Sequence, residues 1–442
     1  MIYLLCIFLI IFILLIARYI GFKFNKHYII SSFIILFVLV FYIIPLLKYN
    51  IYEEEYITLV SSTFSVAHSS EINKYSLYSL TFILFVIFSY IISYMLLAKS
   101  KIIKCENYIE LTKKQTLFNQ LSFLSLCGSV GLIYFSGMNL SNLLASSRFA
   151  FFETQNTVFS LLSTYLTYLL VVPTYLIASK KASINWLYIL SLAATFFILM
   201  FVFGTRSQII AIAFSYLMGR MKVNPKINPK YLILSAVFVH LFVIWQFIRY
   251  NMKSVDGVSG FIDLILFNNK EAYLLSLESG DLSWFYDATF TAMYIKDYMN
   301  FSLDGDTYLR LLLTLFPSTI FDFKPEETQR IFAAIINPEA YIVGATFPPS
   351  ILGDAYLNFG FNGVVIGLFL GCFLAYAQFK VNYFDNILSI VLGSTIFIFL
   401  LLLTRGTFNG LYPLIFCALV LYLLNFLSLI SKKEFSYDKK VS

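Results

Sequence analysis

Residues 195–219, TFFILMFVFGTRSQIIAIAFSYLMG, form an almost wholly apolar stretch with a single charged residue, Arg206, near its middle. An arginine at the centre of a membrane helix costs about 2.5–3.5 kcal/mol on insertion scales. Such a residue normally lies near the membrane surface after all, has its charge shielded by other groups, or serves a function. The choice among these three depends on where the membrane boundaries fall. The rest of the chain supplies those boundaries.

The composition of the whole chain is that of a polytopic membrane protein. Of its 442 residues, 60% are hydrophobic and 12% are charged, and the mean hydropathy is +0.81, which excludes an ordinary soluble fold. Apolar segments of about 20 residues, each able to cross about 30 Å of hydrocarbon as a helix, recur along the chain. We therefore predict an all-α fold with about eleven transmembrane helices, near residues 2–20, 28–47, 76–97, 116–136, 158–178, 186–203, 207–219, 231–249, 360–379, 386–404 and 410–430.

Basic residues are distributed unevenly between the alternate connections of these spans. One side holds 19 of the 31 lysines and arginines, which are Arg18, Lys23, Lys26, Lys99, Lys101, Lys104, Lys113, Lys114, Lys180, Lys181, Arg220, Lys222, Lys226, Lys230, Lys380, Lys432, Lys433, Lys439 and Lys440. By the positive-inside rule this side is cytoplasmic, so the N-terminus is periplasmic and the C-terminus cytoplasmic. The net charge of +7 is thus explained by topology and by contact with anionic membrane lipid, and we predict no nucleic-acid partner.

The topology divides the chain at its longest connection. Residues 1–248 carry helices 1–8, residues 249–359 form a long periplasmic loop, residues 360–430 carry helices 9–11, and residues 431–442 form a cytoplasmic tail. The loop segments DATFTAMYIKDYMN (287–300) and TYLRLLLTLF (307–316) have helical spacing, and KPEETQRIFAAIINPEA (324–340) opens with acids suited to the first turn of a helix. We expect short, partly buried helices on the outer membrane face. A purely structural cap over the bundle is the alternative.

Five arginines lie at the outer ends of predicted spans or in the long loop, namely Arg206, Arg249, Arg310, Arg330 and Arg405. The span count moves Arg206 away from the bilayer centre, to the hairpin between the sixth and seventh spans at the outer rim. A guanidinium group binds phosphate oxygens bidentately and keeps its charge, so several of these residues together would suit a lipid pyrophosphate. The alternative for each is an interface anchor whose side chain snorkels to lipid headgroups.

The segment ATFPPSILGDAYLNFGFNGVVIGLFLG (345–371) leads from the loop into the ninth span. Its first half places Asp354, Tyr356 and Asn358 where the chain meets the membrane. Asp354 is a candidate general base, or an acceptor for a sugar hydroxyl, although an aspartate just before a helix often serves only as its cap. The second half has Gly363, Gly367 and Gly371 at four-residue spacing, which favours close helix packing.

Three segments resemble the Wzy-type O-antigen and capsule repeat-unit polymerases. TFPPSILGDAYLNFGFNG (346–363) is similar to their Gly-Glu or Gly-Asp step followed by Tyr and Asn-Phe-Gly, and FGTRS (203–207) is similar to their Gly-x-Arg-Ser step. LLLTLFPSTIFDFKPEE (311–327) resembles their Pro-Arg…Lys-Pro segment, with Ser318 after Pro317 where the family often has arginine, so that Lys324-Pro325 is the retained part.

The resemblance implies a GT-C-like glycosyltransferase of the bacterial inner membrane. Such an enzyme moves a growing glycan from undecaprenyl pyrophosphate onto another undecaprenyl-pyrophosphate-linked repeat unit, uses no cofactor or metal, and depends on a separate co-polymerase for chain length. On this reading Asp354 is the base and Arg206 stabilises the leaving pyrophosphate. The residues implied in pyrophosphate or sugar binding are Arg249, Arg310, Arg405, Lys324, Tyr356 and Asn358.

Other classes make different demands on the sequence. The related O-antigen ligases use a histidine in their outer loop, whereas residues 250–359 contain none of the three histidines, which favours a polymerase. Those three, His27, His68 and His240, are too scattered to predict a metal site. A flippase would be expected to show internal repeats and interrupted helices at the midplane, and no repeat is visible. A membrane scaffold would not need arginines at several outer span ends.

Overall fold

The computed structural model describes residues 11, 27–38, 41, 69–99, 114–135, 157–198, 207–224, 281–313, 325–342, 346–384, 386–404 and 411–441. Every regular element in this part of the chain is a helix. In chain order these are α1 (Tyr28–Val38), α2 (Ser69–Lys99), α3 (Lys114–Phe135), α4 (Thr157–Tyr168), α5 (Val171–Ala178), α6 (Trp186–Phe197), α7 (Ser207–Val223), α8 (Asp281–Tyr298), α9 (Asp306–Leu313), α10 (Thr328–Ile336), α11 (Pro338–Ile342), α12 (Ser350–Phe359), a 3₁₀ helix (Gly360–Val365), α13 (Ile366–Tyr383), α14 (Ile387–Thr404) and α15 (Leu411–Val441).

The chain is an α-helical membrane protein. Within the described residues, four helical segments are long and apolar enough to cross a membrane: Asn73–Lys99, Gln115–Tyr134, Ser350–Tyr383 and Ile387–Thr404. Shorter apolar helices occupy Tyr28–Val38, Leu162–Ala178, Trp186–Phe197 and Pro413–Leu427. The predicted spans 231–249 and 2–20, apart from residue 11, lie outside the described residues. The count of eleven and the sidedness therefore stay predictions.

The fold separates into two compact units. The first comprises Met1–Met95, Ile227–Ala375 and Leu401–Phe408, and the second comprises Leu96–Lys226, Tyr376–Leu400 and Asn409–Ser442. The first unit contains the described helices of the predicted loop together with most of α2 and the segment that carries Asp354. The candidate site is therefore built within one unit.

The described part of the predicted loop contains five helices, α8 to α12. Helices α8, α9 and α10 occupy the three segments expected to be helical. Helices α8, α10 and α12 and the connection before α9 share a buried apolar cluster, whose members are Ala288, Ala292, Ile295, Leu303, Phe332, Ile336 and Leu357. One detail of the prediction is wrong, because α10 begins at Thr328 and has no acid in its first turn. Glu327 holds an extended conformation (φ −68°, ψ 133°) and precedes the helix.

In the first unit, Gly367 and Gly371 of the ninth predicted span pack against the α2 backbone, as the four-residue spacing predicts, whereas Gly363 packs against the Ala355 carbonyl group of α12. A Cβ atom on Gly367 would lie 2.8 Å from the Phe82 carbonyl oxygen, and one on Gly371 would lie 2.3 Å from the Val86 carbonyl oxygen. Contacts advance along both helices in the same direction, so α2 and α13 are parallel. The alternation of spans requires this direction, since these helices correspond to the third and ninth predicted spans.

In the second unit, hydroxyl and amide groups connect α3 with α6. Three contacts carry this connection, namely Asn185 Nδ2 to Asn119 Oδ1 at 2.8 Å, Ser191 Oγ to the Ser122 carbonyl oxygen at 2.7 Å, and Ser129 Oγ to Thr195 Oγ1 at 2.9 Å. They again advance together along both helices, so α3 and α6 are parallel, as the fourth and sixth predicted spans should be. Side-chain hydrogen bonds of this kind hold membrane helices together, each contributing about 0.6 kcal/mol on average.

Asn185 has two roles at the start of α6, and its replacement separates them. Its Oδ1 accepts the Tyr188 N–H at 2.9 Å and caps the helix, while its Nδ2 binds Asn119. Asn185→Ala should lower the free energy of unfolding by about 1.5 kcal/mol, the sum of a lost cap and a lost interhelical bond. Asn185→Asp keeps the cap acceptor and should lose only about 0.6 kcal/mol. Denaturant unfolding in detergent tests this, and equal stability of all three proteins would refute both roles.

Candidate functional site

The site is carried by α12, a helix whose two ends are fixed by unusual backbone conformations. At its start, Ser350 has a left-handed backbone (φ 65°) and is buried, and its Oγ accepts the Gly353 N–H at 3.1 Å. Ser350 Oγ also contacts Thr289 Oγ1 of α8. At its end, Gly360 has φ 59°, a conformation that glycine adopts at low cost. The apolar helix Ser350–Tyr383 is interrupted at this glycine, where the 3₁₀ helix begins.

Asp354 lies inside α12 and is almost completely buried, with 1% of its surface exposed. The capping alternative for Asp354 is therefore wrong. The residue occupies the fifth position of a ten-residue helix, and no side chain caps the 3₁₀ helix that follows. Asp354 and Asn358, four residues apart, share one face of α12.

The carboxyl group of Asp354 faces a ring of hydroxyl groups. Those of Thr328, Thr307 and Tyr308 are near enough to interact with it. Even so, neither Oδ1 nor Oδ2 completes a hydrogen bond of standard length and angle with any described residue. Buried polar atoms nearly always have well-formed hydrogen bonds, so a buried carboxyl group whose contacts with hydroxyl groups fall short of standard geometry is a candidate for a functional role.

Tyr308 contributes a neutral hydroxyl group beside this carboxyl group. Burial raises the pKa of Tyr308 well above its ordinary value, and the charge of Asp354 raises it further. Tyr308 therefore keeps its proton at physiological pH and can donate it in a hydrogen bond to a carboxylate. The ring of Tyr308 also lies 5.4 Å from that of Phe359, at the end of α12.

Asn358 stabilises the turn that precedes Thr307 and Tyr308. Its Oδ1 accepts the Gly305 N–H at 3.0 Å, and its Nδ2 donates to the Asp354 carbonyl oxygen at 2.8 Å and to Thr307 Oγ1 at 3.2 Å. Gly305 has φ 96°, which a residue with a Cβ would adopt only with strain. The Thr307 hydroxyl also contacts that of Thr328. Asn358 is 2% exposed and fully engaged within the protein, and its predicted binding of sugar stays a prediction.

Tyr356 points away from Asp354 and reaches α8. Its hydroxyl donates to Asp297, 3.0 Å from Oδ1 and 3.2 Å from Oδ2, and Asp297 also pairs with Lys74 Nζ at 2.6 Å. Its predicted role as a sugar-binding residue stays a prediction. The contact between Asp297 and Lys74 could not be predicted from the sequence. Single charged residues at helix ends are common, and sequence spacing does not indicate contacts between residues so far apart.

Arg310 lies on α9 and is already engaged by groups of the protein. Its NH2 group donates to Glu327 Oε1 at 2.9 Å, and its NH1 group donates to the Pro325 carbonyl oxygen. The guanidinium group of Arg310 is thus held by the chain just before α10. Its predicted contact with pyrophosphate stays a prediction.

The other predicted cations, Arg206, Arg249, Lys324 and Arg405, lie outside the described residues. The structure thus brings Asp354, Tyr356 and Asn358 together on one helix and adds Thr307, Tyr308 and Thr328 around the carboxyl group. No cluster of three or more histidine, cysteine, aspartate or glutamate side chains within the described ranges could hold a metal ion.

Comparison with known proteins places the chain in no group. No family model, no curated protein and no solved structure matches it.

Proposed function

We propose that the chain is a glycosyltransferase of the bacterial inner membrane that polymerises undecaprenyl-pyrophosphate-linked repeat units on the periplasmic face, with Asp354 as its general base. The observation that supports this proposal is the buried Asp354 carboxyl group, set among the hydroxyl groups of Thr307, Tyr308 and Thr328 at one end of an apolar helix. A general base must be able to accept a proton from the hydroxyl that attacks, and a carboxylate in a site lined by hydroxyl groups can do so.

The proposed reaction forms one bond and breaks one. The acceptor hydroxyl oxygen attacks the anomeric carbon of the donor glycan, the bond from that carbon to the pyrophosphate oxygen breaks, and undecaprenyl pyrophosphate leaves. The hydroxyl proton passes to the Asp354 carboxylate. Because the carboxyl group is almost completely buried, the proposed reaction requires a local opening that admits the acceptor.

The leaving pyrophosphate needs positive charge. We propose that Arg206, Arg249, Arg405, Lys324 and Arg310 supply it. Removing one such donor from a transition state typically costs about 2.7–4 kcal/mol. Repeat-unit substrates and a chain-length co-polymerase are the proposed partners.

Purified protein in lipid, supplied with undecaprenyl-pyrophosphate-linked repeat units and no nucleotide sugar, tests the proposal. We expect a ladder of glycans that lengthen by one repeat unit at a time. Movement of the lipid-linked units across the bilayer without extension would identify a flippase. In a parallel reaction with added lipid A core, transfer of glycan to that core with no extension of repeat units would identify a ligase. Either result would overturn the proposal.

A further inference from the structure

We propose that Lys74, Asp297 and Tyr356 form a bracket that positions Asp354 for the transfer reaction, although none of the three touches the Asp354 carboxyl group. This inference rests on the proposed function, since Asp354 is its general base. The bracket joins three helices of the first unit, with Lys74 on α2, Asp297 on α8 and Tyr356 on α12. Nothing in its chemistry requires any of these residues to bind substrate.

Helix geometry places Tyr356 on the side of α12 opposite Asp354. Successive residues of an α-helix are rotated by about 100°, so residues two apart point about 200° away from each other. Asp354 therefore faces the hydroxyl groups of Thr307 and Thr328 while Tyr356 faces α8. A force that holds Tyr356 fixes the rotation of α12 about its axis, and with it the direction of the Asp354 side chain.

The Tyr356 side is held by a charged hydrogen-bond network. The Tyr356 hydroxyl lies within hydrogen-bond distance of both Asp297 oxygens, at 3.0 and 3.2 Å, and Lys74 Nζ lies 2.6 Å from Asp297 Oδ2. Lys74 Nζ also lies 5.6 Å from the centroid of the Tyr356 ring. Lys74 fixes the carboxylate that fixes the tyrosine, so all three groups act together.

Tyr78 of α2 holds α12 at a second point, two residues before Asp354 in the sequence. Tyr78 donates from its hydroxyl to the Leu352 carbonyl oxygen at 3.3 Å, and its ring meets the Tyr356 ring edge to face, with centroids 5.0 Å apart. Positions two residues before and two residues after Asp354 are thus both tied to α2. Close packing supports the arrangement, because a Cβ atom on Gly353 would lie 3.0 Å from the Ala292 Cβ of α8.

The exposure of the bracket separates a positioning role from a stabilising one. The side chains of Lys74 and Asp297 are 46% and 28% exposed, and ion pairs open to solvent contribute little to stability. Misplacing a catalytic group by about 1 Å, by contrast, can cost about 10²-fold in rate. Loss of the bracket should therefore reduce turnover far more than it reduces stability.

Three variants test the bracket in the chain-extension assay with full-length protein in lipid. Tyr356→Phe and Lys74→Met should lower kcat about tenfold or more with KM for the lipid-linked unit nearly unchanged, since a misdirected base slows the chemical step. Lys74→Arg keeps the charge and should restore most of the rate. Tyr383→Phe, which removes a hydroxyl from a half-exposed tyrosine of the second unit, is the matched control and should behave like wild type.

Amide hydrogen exchange over residues 350–359 provides a readout that needs no catalysis. Tyr356→Phe should speed exchange in this segment by about threefold or more, because local openings become less costly, and Tyr383→Phe should not. If wild-type protein extends no glycan, the proposed function fails while the exchange rates still decide the bracket. Unchanged exchange and unchanged kcat in Tyr356→Phe would overturn the bracket. A fall in kcat that only follows the fraction of folded protein would overturn it as well.

Discussion

Replacing Asp354 with asparagine should lower the rate of chain extension by about 10²- to 10⁴-fold, the usual contribution of a general base. The asparagine side chain has nearly the same shape, so the packing of α12 is retained, and its amide can still meet the hydroxyl groups of Thr307, Tyr308 and Thr328. It cannot accept the proton of the attacking hydroxyl. The melting temperature should therefore stay the same or rise, because burying an ionisable carboxyl group is itself costly.

The matched control for this variant is Glu339→Gln, which neutralises an exposed carboxylate in the short helix α11. It should leave both rate and stability close to wild type. A full glycan ladder from Asp354→Asn would remove Asp354 from the chemistry. A loss of activity that merely accompanies a lower melting temperature would show that Asp354 is needed for folding alone.

The substitution Gly371→Ala should lower the free energy of unfolding by about 3 kcal/mol, the upper end for overpacked sites. The added methyl group would lie 2.3 Å from the Val86 carbonyl oxygen and 2.0 Å from Ser89 Oγ. The serine side chain can rotate away, but the carbonyl belongs to the backbone of α2, so the two helices must separate. Unfolding of the purified protein in detergent, followed by helical circular dichroism, measures the effect.

Phe369→Ala on the same helix is the matched control for the glycine variant. Phe369 is 70% exposed, so its truncation removes few contacts within the protein and should cost well under about 1 kcal/mol. Equal stability of Gly371→Ala and wild type would mean that the seam between α2 and α13 is not close-packed.

The sequence predicts the helical architecture well, because long apolar segments in a membrane can only be helices or closed barrels. Close helix packing at the glycine stripe of the ninth span could also be predicted, since glycines at four-residue spacing in a membrane helix favour the close approach of another helix. The ninth span was also expected to begin near Gly360, where the structure interrupts the apolar helix. The helix before it was not foreseen, and for that reason Asp354 could be mistaken for a cap.

The surroundings of Asp354 could not be predicted. Thr307 and Thr328 are ordinary polar residues far from Asp354 in the sequence, and only the tertiary contacts among α9, α10 and α12 bring their hydroxyl groups to its carboxyl group. Arg310 illustrates the same difficulty, since its pairing with Glu327 depends on how two short helices meet. Residue type indicates what a side chain can bind, and tertiary packing decides what it does bind.

The most direct test of the account is the stoichiometry of undecaprenyl pyrophosphate released to glycosidic bonds formed. With labelled lipid-linked units and no nucleotide sugar, wild-type protein should release one undecaprenyl pyrophosphate for each repeat unit added, and Asp354→Asn should release almost none. Bond formation without release of undecaprenyl pyrophosphate, or the same release from wild type and Asp354→Asn, would contradict the account.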